Sequence, residues 1–282
     1  MRTWSVSSIR QFHSCQLAWW FQRTGVAPEF KPLALVAGTA VHAAIEHHLL
    51  GLRDGAVPSE EEDVELLRAA YFSEEAGGTI RYGEKEHDEV LDRLSHLYLY
   101  WRKGFKLDGE IVGVETEILV TLPGVDLPLR GYADLVVNTS SGDRVVDFKC
   151  TAAKPSPDPL LDPLDLQKLA MTRGWEAKSR RTVTSWRWEH LVKTKSPNVV
   201  DVDLPVADED RDADLGRLAA VVNPTLRLMD AVLAGKLDPV PTQALMTLCG
   251  SCAFRGHCVL WGSPHKAHYA ESSAMRSPPS LT

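Results

Sequence analysis

Two short segments decide the fold that this sequence can adopt. Residues 131–137 read Gly-Tyr-Ala-Asp-Leu-Val-Val, and residues 145–150 read Val-Val-Asp-Phe-Lys-Cys. Both are apolar, β-branched runs typical of buried strands, and the polar turn between them favours a hairpin. Each strand carries one acidic side chain, Asp134 or Asp147, and the second strand adds Lys149. Because buried charges are costly unless they have partners, these residues indicate a functional site.

Strand geometry predicts how these side chains meet. Residues two apart share a face, so we expect Asp147 and Lys149 to point one way while Val146 and Phe148 enter the core. If the strands pair, Asp134 approaches Asp147, and two carboxylates at about 4 Å repel by roughly 4 kcal/mol at an effective dielectric near 20. A divalent cation would relieve this repulsion, and oxygen ligands suit Mg²⁺ or Mn²⁺. The alternative is a structural Asp–Lys pair.

The surrounding sequence predicts a mixed α/β protein. The chain has 282 residues, of which 44% are hydrophobic and 24% charged, which excludes disordered and fibrous classes. Apolar spacing predicts helices at residues 4–24, 34–52, 60–76, 84–103, 164–178 and 207–235. Alternating segments predict strands at residues 111–122, 127–137, 144–150, 183–193 and 199–204. The fold class that follows is α/β, a mixed central sheet flanked by helices.

We find no linker in this pattern and predict one composite domain over residues 1–263. Its parts are a helical N-terminal portion (1–105), a sheet core (106–206) and a helix followed by a cysteine-rich segment (207–263). The Ser- and Pro-rich residues 264–282 predict a disordered tail.

Charge and hydropathy limit the kinds of partner that we expect. No apolar run approaches the roughly 20 residues of a membrane span, and the N-terminus lacks the apolar core of a secretory signal, so we expect a cytoplasmic protein with no membrane partner. The net charge is −7, yet residues 173–195 carry a local excess of positive charge. The candidate phosphate-binding residues there are Arg173, Arg180, Arg181, Lys193 and Lys195. A solvated helix face would explain the same charges.

The cysteines are unevenly placed. Cys249, Cys252 and Cys258 cluster near the C-terminus, Cys15 lies near the N-terminus, and Cys150 stands alone between them. This clustering indicates a metal centre rather than a disulfide framework. A C-x₂-C pair is typical of zinc sites, whereas the division of three and one also fits a Cys₄ iron–sulfur cluster.

Asp134 and the Asp147-Phe148-Lys149 segment resemble the signature of the PD-(D/E)XK nuclease superfamily, whose fold is restriction-endonuclease-like. Residues 38–42, Gly-Thr-Ala-Val-His, resemble the G-x-x-x-H element of its RecB-type branch. The resemblance implies a metal site formed by His42, Asp134, Asp147 and the backbone carbonyl of Phe148.

A third motif extends the resemblance. Gln167 resembles the glutamine of the Q-x-x-x-Y motif, although position 171 is Met rather than Tyr. The implied catalytic residues are Asp134, Asp147, Lys149 and Gln167. On the preceding strand, Glu115 or Glu117 could face the site, and their equal parity predicts that both lie on one face. Glu46, one turn after His42, could orient the imidazole.

The chain termini also resemble this branch. Residues 5–21 resemble the N-terminal helix of RecB-type and AddB-type nucleases, and the cysteine spacing resembles that of AddB-type nucleases and the iron–sulfur exonucleases of CRISPR adaptation (Cas). The resemblance implies a [4Fe-4S] cluster held by Cys15, Cys249, Cys252 and Cys258.

Taken together, the resemblance implies a Mg²⁺- or Mn²⁺-dependent exonuclease that hydrolyses phosphodiester bonds at DNA ends, in recombination, repair or spacer processing. Its expected partner is DNA, as single strands or duplex ends, and a recombinase, a helicase or a CRISPR adaptation protein is compatible with this function. Two alternatives stay open: a non-cleaving iron–sulfur DNA-binding module of RecB-like fold, and a zinc-bound structural adaptor.

Overall fold

The computed structural model describes residues 2–82, 87–155, 165–241, 249 and 252–258. Among these residues the α-helices are Val6–Ser14 (α1), Gln16–Arg23 (α2), Leu33–Asp54 (α3), Glu60–Ala76 (α4), His87–Gly104 (α5), Leu166–Ser179 (α6) and Arg211–Leu233 (α7). The strands are Lys31–Pro32 (β1), Ile80–Arg81 (β2), Glu110–Val120 (β3), Leu129–Thr139 (β4), Gly142–Thr151 (β5), Val183–Val192 (β6) and Asn198–Pro205 (β7). The predicted disordered tail lies outside the described residues.

A five-stranded mixed sheet forms the centre of the molecule, in the order β3-β4-β5-β6-β7. The β5–β6 pair is parallel and the other neighbours are antiparallel. The parallel crossover contains α6, as expected for strands that a hairpin cannot join. The predicted mixed sheet flanked by helices is therefore confirmed.

Helices cover both faces of this sheet and create two cores. The first core lies under α1, α6 and α7 and includes Ile9, Ile118, Trp186 and Leu218. The second core lies under α3 and α5 and includes Val41, Trp101 and Phe148. The sheet thus presents one face to the N-terminal helix and the late helices, and the other to the helical portion between residues 33 and 104.

The single helix predicted at residues 4–24 is divided into α1 and α2 at Cys15. The Cys15 backbone is extended (φ −164°, ψ 108°), its N–H bonds to Gln11 O, and its thiol accepts the N–H of Ala18. Cys15 therefore ends one helix and caps the next, a role usually filled by an oxygen side chain. The helical periodicity continues across the break, which is why the sequence pattern did not reveal it.

By length and composition alone, α3 could cross a membrane, contrary to the expectation that no segment is apolar enough. In this structure α3 packs against β3 and β5, and its side chains Val36, Ala40, Val41 and Ile45 are almost fully buried in the second core. This packing accounts for the apolar character of α3. A helix that is covered on several sides has few positions exposed to water, so few of its residues need to be polar.

Strands β3 and β4 exchange faces at one point along their length. Leu135 belongs to the second core, but Ala133, two residues earlier, belongs to the first. In β3, Val114 packs in the second core and Ile118 in the first, although regular alternation would place them on one face. The irregularity includes Glu115, whose φ of 41° is in the left-handed region that non-glycine residues rarely adopt.

Candidate active site and cysteine cluster

The candidate active site forms where β4 and β5 separate. Their ladder ends at the Leu135–Val146 pair, after which β4 continues beside β3 and β5 continues beside β6. Asp134 is the first residue beyond this pair, and its Oδ2 accepts the backbone N–H of Phe148 at 2.9 Å. A carboxylate thus takes the place of a ladder carbonyl, which brings Asp134 against the Asp147–Lys149 segment.

Three groups converge at this opening. His42 Nδ1 lies 3.7 Å from Asp134 Oδ2 and 3.9 Å from Glu115 Oε1, and one ligand atom from each residue falls within 4.8 Å of the others. His42 Nε2 is 2.9 Å from the carbonyl of Phe148, to which it can donate. With the proton on Nε2, the lone pair of Nδ1 faces the two carboxylates.

Glu115 was a candidate that sequence reasoning could not separate from Glu117. The structure separates them. Glu115 itself has the left-handed backbone conformation, so the regular alternation that would place Glu115 and Glu117 on one face is interrupted there. Glu115 faces His42, whereas Glu117 forms an exposed ion pair with Arg130 and accepts from Tyr132. A backbone outlier at a cluster of charges is typical of functional sites, but the sequence contains no signal for it.

Phe148 and Glu46 both act on His42. The Phe148 carbonyl, predicted as a metal ligand, is the described hydrogen-bond partner of His42 Nε2. Glu46, predicted to orient His42, is coupled to the site through its charge: burial and the neighbouring Glu115 raise its pKa, while His42 opposes the increase. The imidazole is therefore oriented by the β5 backbone.

Burial and neighbouring charges shift the pKa values of the residues in this cluster. Burial, followed by the proximity of Asp147, raises the pKa of Asp134 to about 7. Burial also raises the pKa of Asp147, although Lys149 opposes this. Burial tends to lower the pKa of His42, but Glu115, Asp134 and Asp147 outweigh it and raise the pKa. All three pKa shifts have the same cause, which is negative charge that is close together and poorly solvated.

A second group lies beside the first along β5. Lys149 Nζ is 2.7 Å from Asp147 Oδ2, and the Gln167 amide donates to Asp147 Oδ1. Gln167 Oε1 accepts from Lys149 Nζ at 3.4 Å. Lys149 also lies over the ring of Trp188, 5.1 Å from its centroid, a cation–π contact. The side chains predicted as catalytic, Asp134, Asp147, Lys149 and Gln167, therefore surround one short length of β5.

Met171 occupies the position where the resembling motif has Tyr. It is buried in the first core and packs so closely against Gly131 that an added Cβ there would lie 2.6 Å from Met171 Cε. Met171 therefore has a packing role, and a larger residue at position 131 would have to displace the end of the Met171 side chain.

The basic residues predicted to bind DNA do not form one strip. Arg173 is 2% exposed, and its guanidinium is held by Asp214 and Glu176, with Nη2 also donating to Ala207 O. This arrangement contradicts the predicted phosphate contact, because a guanidinium enclosed by two carboxylates joins α6 to α7 and cannot reach a DNA strand.

Arg180 and Arg181 lie at the far end of α6 from Gln167. Arg180 caps α6 in the left-handed conformation (φ 62°), and Arg181 is bound to the buried Asp143. At 1.5 Å per residue, about 20 Å of helix separate them from Gln167. These two residues are therefore remote from the carboxylates.

Lys193 lies nearer the site. It directly follows β6, its N–H bonds to Thr151 O at the end of β5, and Lys149 pairs with His190 earlier along the same two strands. The structure therefore places Lys193 at the same edge of the parallel pair as Lys149. Lys195 is exposed in the following turn.

Three of the four predicted cysteine ligands lie together, apart from the sheet. Cys15, Cys252 and Cys258 pack with Leu17 and Phe21 in a third small core. Segment 252–258, with a single 3₁₀ turn at Arg255–His257, is fixed to the N-terminal region by the bond from Glu29 N to Ala253 O.

The fourth cysteine, Cys249, affects the group through its charge. Burial raises the pKa of the Cys252 thiol, a backbone hydrogen bond at Phe254 opposes this, and Cys15, Cys258 and Cys249 raise it further. Thiolates gathered in this way would repel one another, and a bound metal or cluster would neutralise them.

The two donor sets fit different groups. The imidazole and carboxylates of His42, Glu115 and Asp134 suit a hard divalent cation, which would offset the burial and the repulsion by Asp147 that raise the pKa of Asp134. Four thiols suit zinc or an iron–sulfur cluster. The chemistry of each set is therefore compatible with the metal groups that the resemblance implies.

Comparisons with known proteins agree with this fold. The sequence matches the model of the PD-(D/E)XK nuclease superfamily over residues 3–259. A crystal structure named "Putative exonuclease" from Eubacterium rectale aligns at a TM-score of 0.56 with 12% identity, covering 86% of each chain. A second solved structure, SSO0001, aligns at a TM-score of 0.32 with 12% identity, over 89% of this chain and 93% of that one, which is too weak to bear on the fold. No protein of curated function matches the sequence.

The family model covers nearly all of the described residues, including both strands of the opening, α3 with His42 and the cysteine segment. The structural likeness independently supports the same fold. The chain belongs to the PD-(D/E)XK nuclease superfamily.

Proposed function

We propose that this nuclease is a Mg²⁺- or Mn²⁺-dependent exonuclease that hydrolyses phosphodiester bonds at DNA ends. The observation that carries the proposal is the convergence of His42, Glu115 and Asp134 within 4.8 Å at the opening of the sheet, beside Asp147 and Lys149. The name of the Eubacterium rectale neighbour supports the exonuclease class. Recombination, repair end-processing and spacer processing all require such an activity.

His42, Glu115 and Asp134 would hold the cation, with Asp147 completing the set from the neighbouring strand. When bound, the cation supplies charge stabilisation at the phosphoryl oxygen and lowers the pKa of a coordinated water. The hydrogen bond from Phe148 N–H fixes one oxygen of Asp134, and the Phe148 carbonyl fixes the imidazole of His42. The backbone of β5 thereby orients two side chains that come from different elements.

Lys149 supplies the remaining positive charge of the site. Its ammonium is held by Asp147, by Gln167 Oε1 and by the face of Trp188, so it stays near the carboxylates. An ammonium at this position would stabilise negative charge that develops on the phosphoryl group, and it would orient an attacking water. The Gln167 amide fixes Asp147 and Lys149 at the same time.

The cysteine cluster is proposed to hold a [4Fe-4S] group with a structural role. Its ligands, Cys15, Cys249, Cys252 and Cys258, join the first turn of α2 to the C-terminal segment. Such a connection restricts a loop that spans most of the chain, which in a chain-entropy model stabilises the fold by roughly 5 kcal/mol. Iron and acid-labile sulfide in stoichiometric amounts, with broad visible absorption, support this assignment, whereas stoichiometric zinc in a colourless protein contradicts it.

The activity is tested with end-labelled DNA and the variant Asp134→Ala. With Mg²⁺ or Mn²⁺, the wild type should release nucleotides from one labelled end, and Asp134→Ala should lose cleavage while retaining DNA binding. The matched control is Asp126→Ala, because Asp126 is an exposed acid paired with Arg227 and remote from the opening. Cleavage by Asp134→Ala at the wild-type rate would refute the assigned site, and internal cuts on circular DNA would refute the requirement for ends.

A further inference from the structure

An arginine from outside the sheet reaches the catalytic amide. Arg10, on α1, donates from Nη1 to Gln167 Oε1 at 3.1 Å, and Lys149 Nζ reaches the same oxygen at 3.4 Å. The other end of this amide donates to Asp147. Two cations therefore converge on one neutral oxygen, and the amide between them has a defined orientation.

The contacts of Arg10 give it little structural value. Its second bond, from Nη2 to Asp165 Oδ1, is long at 3.4 Å, and the side chain is 43% exposed. The same Asp165 oxygen already accepts the N–H groups of Gln167 and Lys168 as the N-cap of α6, and Oδ2 accepts from Trp188. An ion pair this exposed contributes little to stability, because water and salt screen it.

The remaining donors of Arg10 are suited to an anion. A guanidinium has five N–H groups in a planar fork, and the described contacts of Arg10 use two of them. The fork matches two oxygens of a phosphate, which an ammonium cannot do. Because Arg10 and Lys149 lie on two sides of one amide oxygen, an anion on Arg10 would be adjacent to the group that Lys149 contacts.

We propose that Arg10 binds a backbone phosphate of the substrate strand, next to the scissile phosphodiester. The proposal rests on the proposed function and extends it by assigning α1 to the substrate channel. On binding, the guanidinium exchanges its weak contact with Asp165 for a bidentate contact with phosphate, and its bond to Gln167 keeps the strand in register with Lys149. The contact carries no base information, because it is made to phosphate alone.

The test measures equilibrium binding of a fluorescent single strand and of a duplex end, in the non-cleaving Asp134→Ala background, across a series of salt concentrations. Arg10→Gln should weaken binding about tenfold at low salt and should reduce the slope of log K against log salt by about 0.7–0.9, the value for one lost phosphate contact. Arg10→Lys should restore the slope and part of the affinity. Arg23→Gln is the matched control, because Arg23 is an exposed arginine in the last turn of α2.

Each result has a defined meaning. If Arg10→Gln and Arg23→Gln have the same affinity and slope, the phosphate contact is refuted, even if cleavage by Arg10→Gln in the active protein is slow. If the parent protein binds no DNA and the wild type cuts none, the proposed function fails, and the Arg10 assignment fails with it. A melting temperature equal to that of the parent excludes a folding defect as the cause.

Discussion

The carboxylate site and the cysteine cluster are two candidate metal centres built in opposite ways. The carboxylate site lies on regular elements: its residues come from α3, β3, β4 and β5, and a backbone N–H and a carbonyl of Phe148 fix its ligands. The cysteine cluster lies at the edge of the molecule, where Cys15 between two short helices meets a segment with little regular structure.

The two regions differ in what their residues contribute to stability. At the opening of the sheet the protein holds mutually repelling carboxylates whose pKa values are raised, a cost that ordinary packing would avoid. The cysteine cluster instead packs against aromatic and aliphatic side chains, Leu17, Phe21 and Phe254, and joins distant parts of the chain. Under the proposed function, the first arrangement would serve chemistry and the second would add stability.

The largest effect should follow loss of a cluster cysteine. Cys15→Ser should lower the free energy of unfolding by about 5 kcal/mol and abolish metal or iron retention, because the connection between the chain's two ends is lost. The measurement is chemical denaturation with metal analysis. Cys150→Ser is the matched control, since Cys150 borders the second core rather than the cluster, and equal losses in both variants would contradict a specific cluster.

Removal of the site ammonium should affect chemistry more than stability, because Asp147, whose pKa is already raised, can take up a proton when its partner is lost. Lys149→Met should lower the rate of cleavage about 10²- to 10³-fold, the usual loss of one group that stabilises transition-state charge. Single-turnover cleavage of end-labelled DNA measures it. Lys178→Met, at the other end of α6, should cut at the wild-type rate. A large loss of stability in Lys149→Met would show that the ion pair with Asp147 is structural, as the alternative reading holds.

Neutralisation of a strained carboxylate should stabilise the protein while abolishing cleavage. The pKa of Asp134, about 7 in the folded state, lies above its unfolded value, so the folded state loses stability as the pH rises from about 4 through 7. Asp134→Asn removes this loss and should raise the free energy of unfolding by about 4 kcal/mol at pH 8 in EDTA. Mg²⁺ should then raise the melting temperature of the wild type and leave the variant unchanged. A destabilised variant would be inconsistent with stored strain.

Glu189, in β6, is a buried acid outside the proposed site, and it tests whether the site carboxylates differ from other buried acids. Burial, followed by the nearby Asp201, raises the pKa of Glu189 to about 7, although Trp101 donates a hydrogen bond to its carboxylate. Stability should therefore fall between about pH 4.5 and 7, and Glu189→Gln should recover about 3 kcal/mol at pH 8 with cleavage intact. Denaturation curves at pH 5 and pH 8 test this. If cleavage is lost as well, Glu189 belongs to the site.

Much of the fold could be predicted from the local sequence pattern. Strands of the central sheet begin and end within a few residues of their predicted positions, because alternation of side chains is strong on a buried sheet. The β1–β2 pair was missed, since it consists of two residues in each strand and joins segments almost fifty residues apart. The break at Cys15 was missed because a thiol cap leaves the helical periodicity unchanged.

The candidate site was accessible in part. The motif residues were named from the sequence, whereas the choice of Glu115 over Glu117 depended on a backbone irregularity in β3. Arg173 was assigned to DNA from its sign of charge alone. Its burial between Asp214 and Glu176 depends on how α6 packs against α7, which local sequence does not encode.

By itself, the sequence determined which chemistry is available: two acids and a lysine on adjacent apolar strands, a histidine on an apolar helix, and cysteines at both ends of the chain. Only the tertiary structure decided which of these groups meet. The β4–β5 ladder opens at Leu135, the backbone turns at Glu115, and α1 brings Arg10 to Gln167. Such contacts join residues far apart in the chain, and their geometry is set by packing that no local segment specifies.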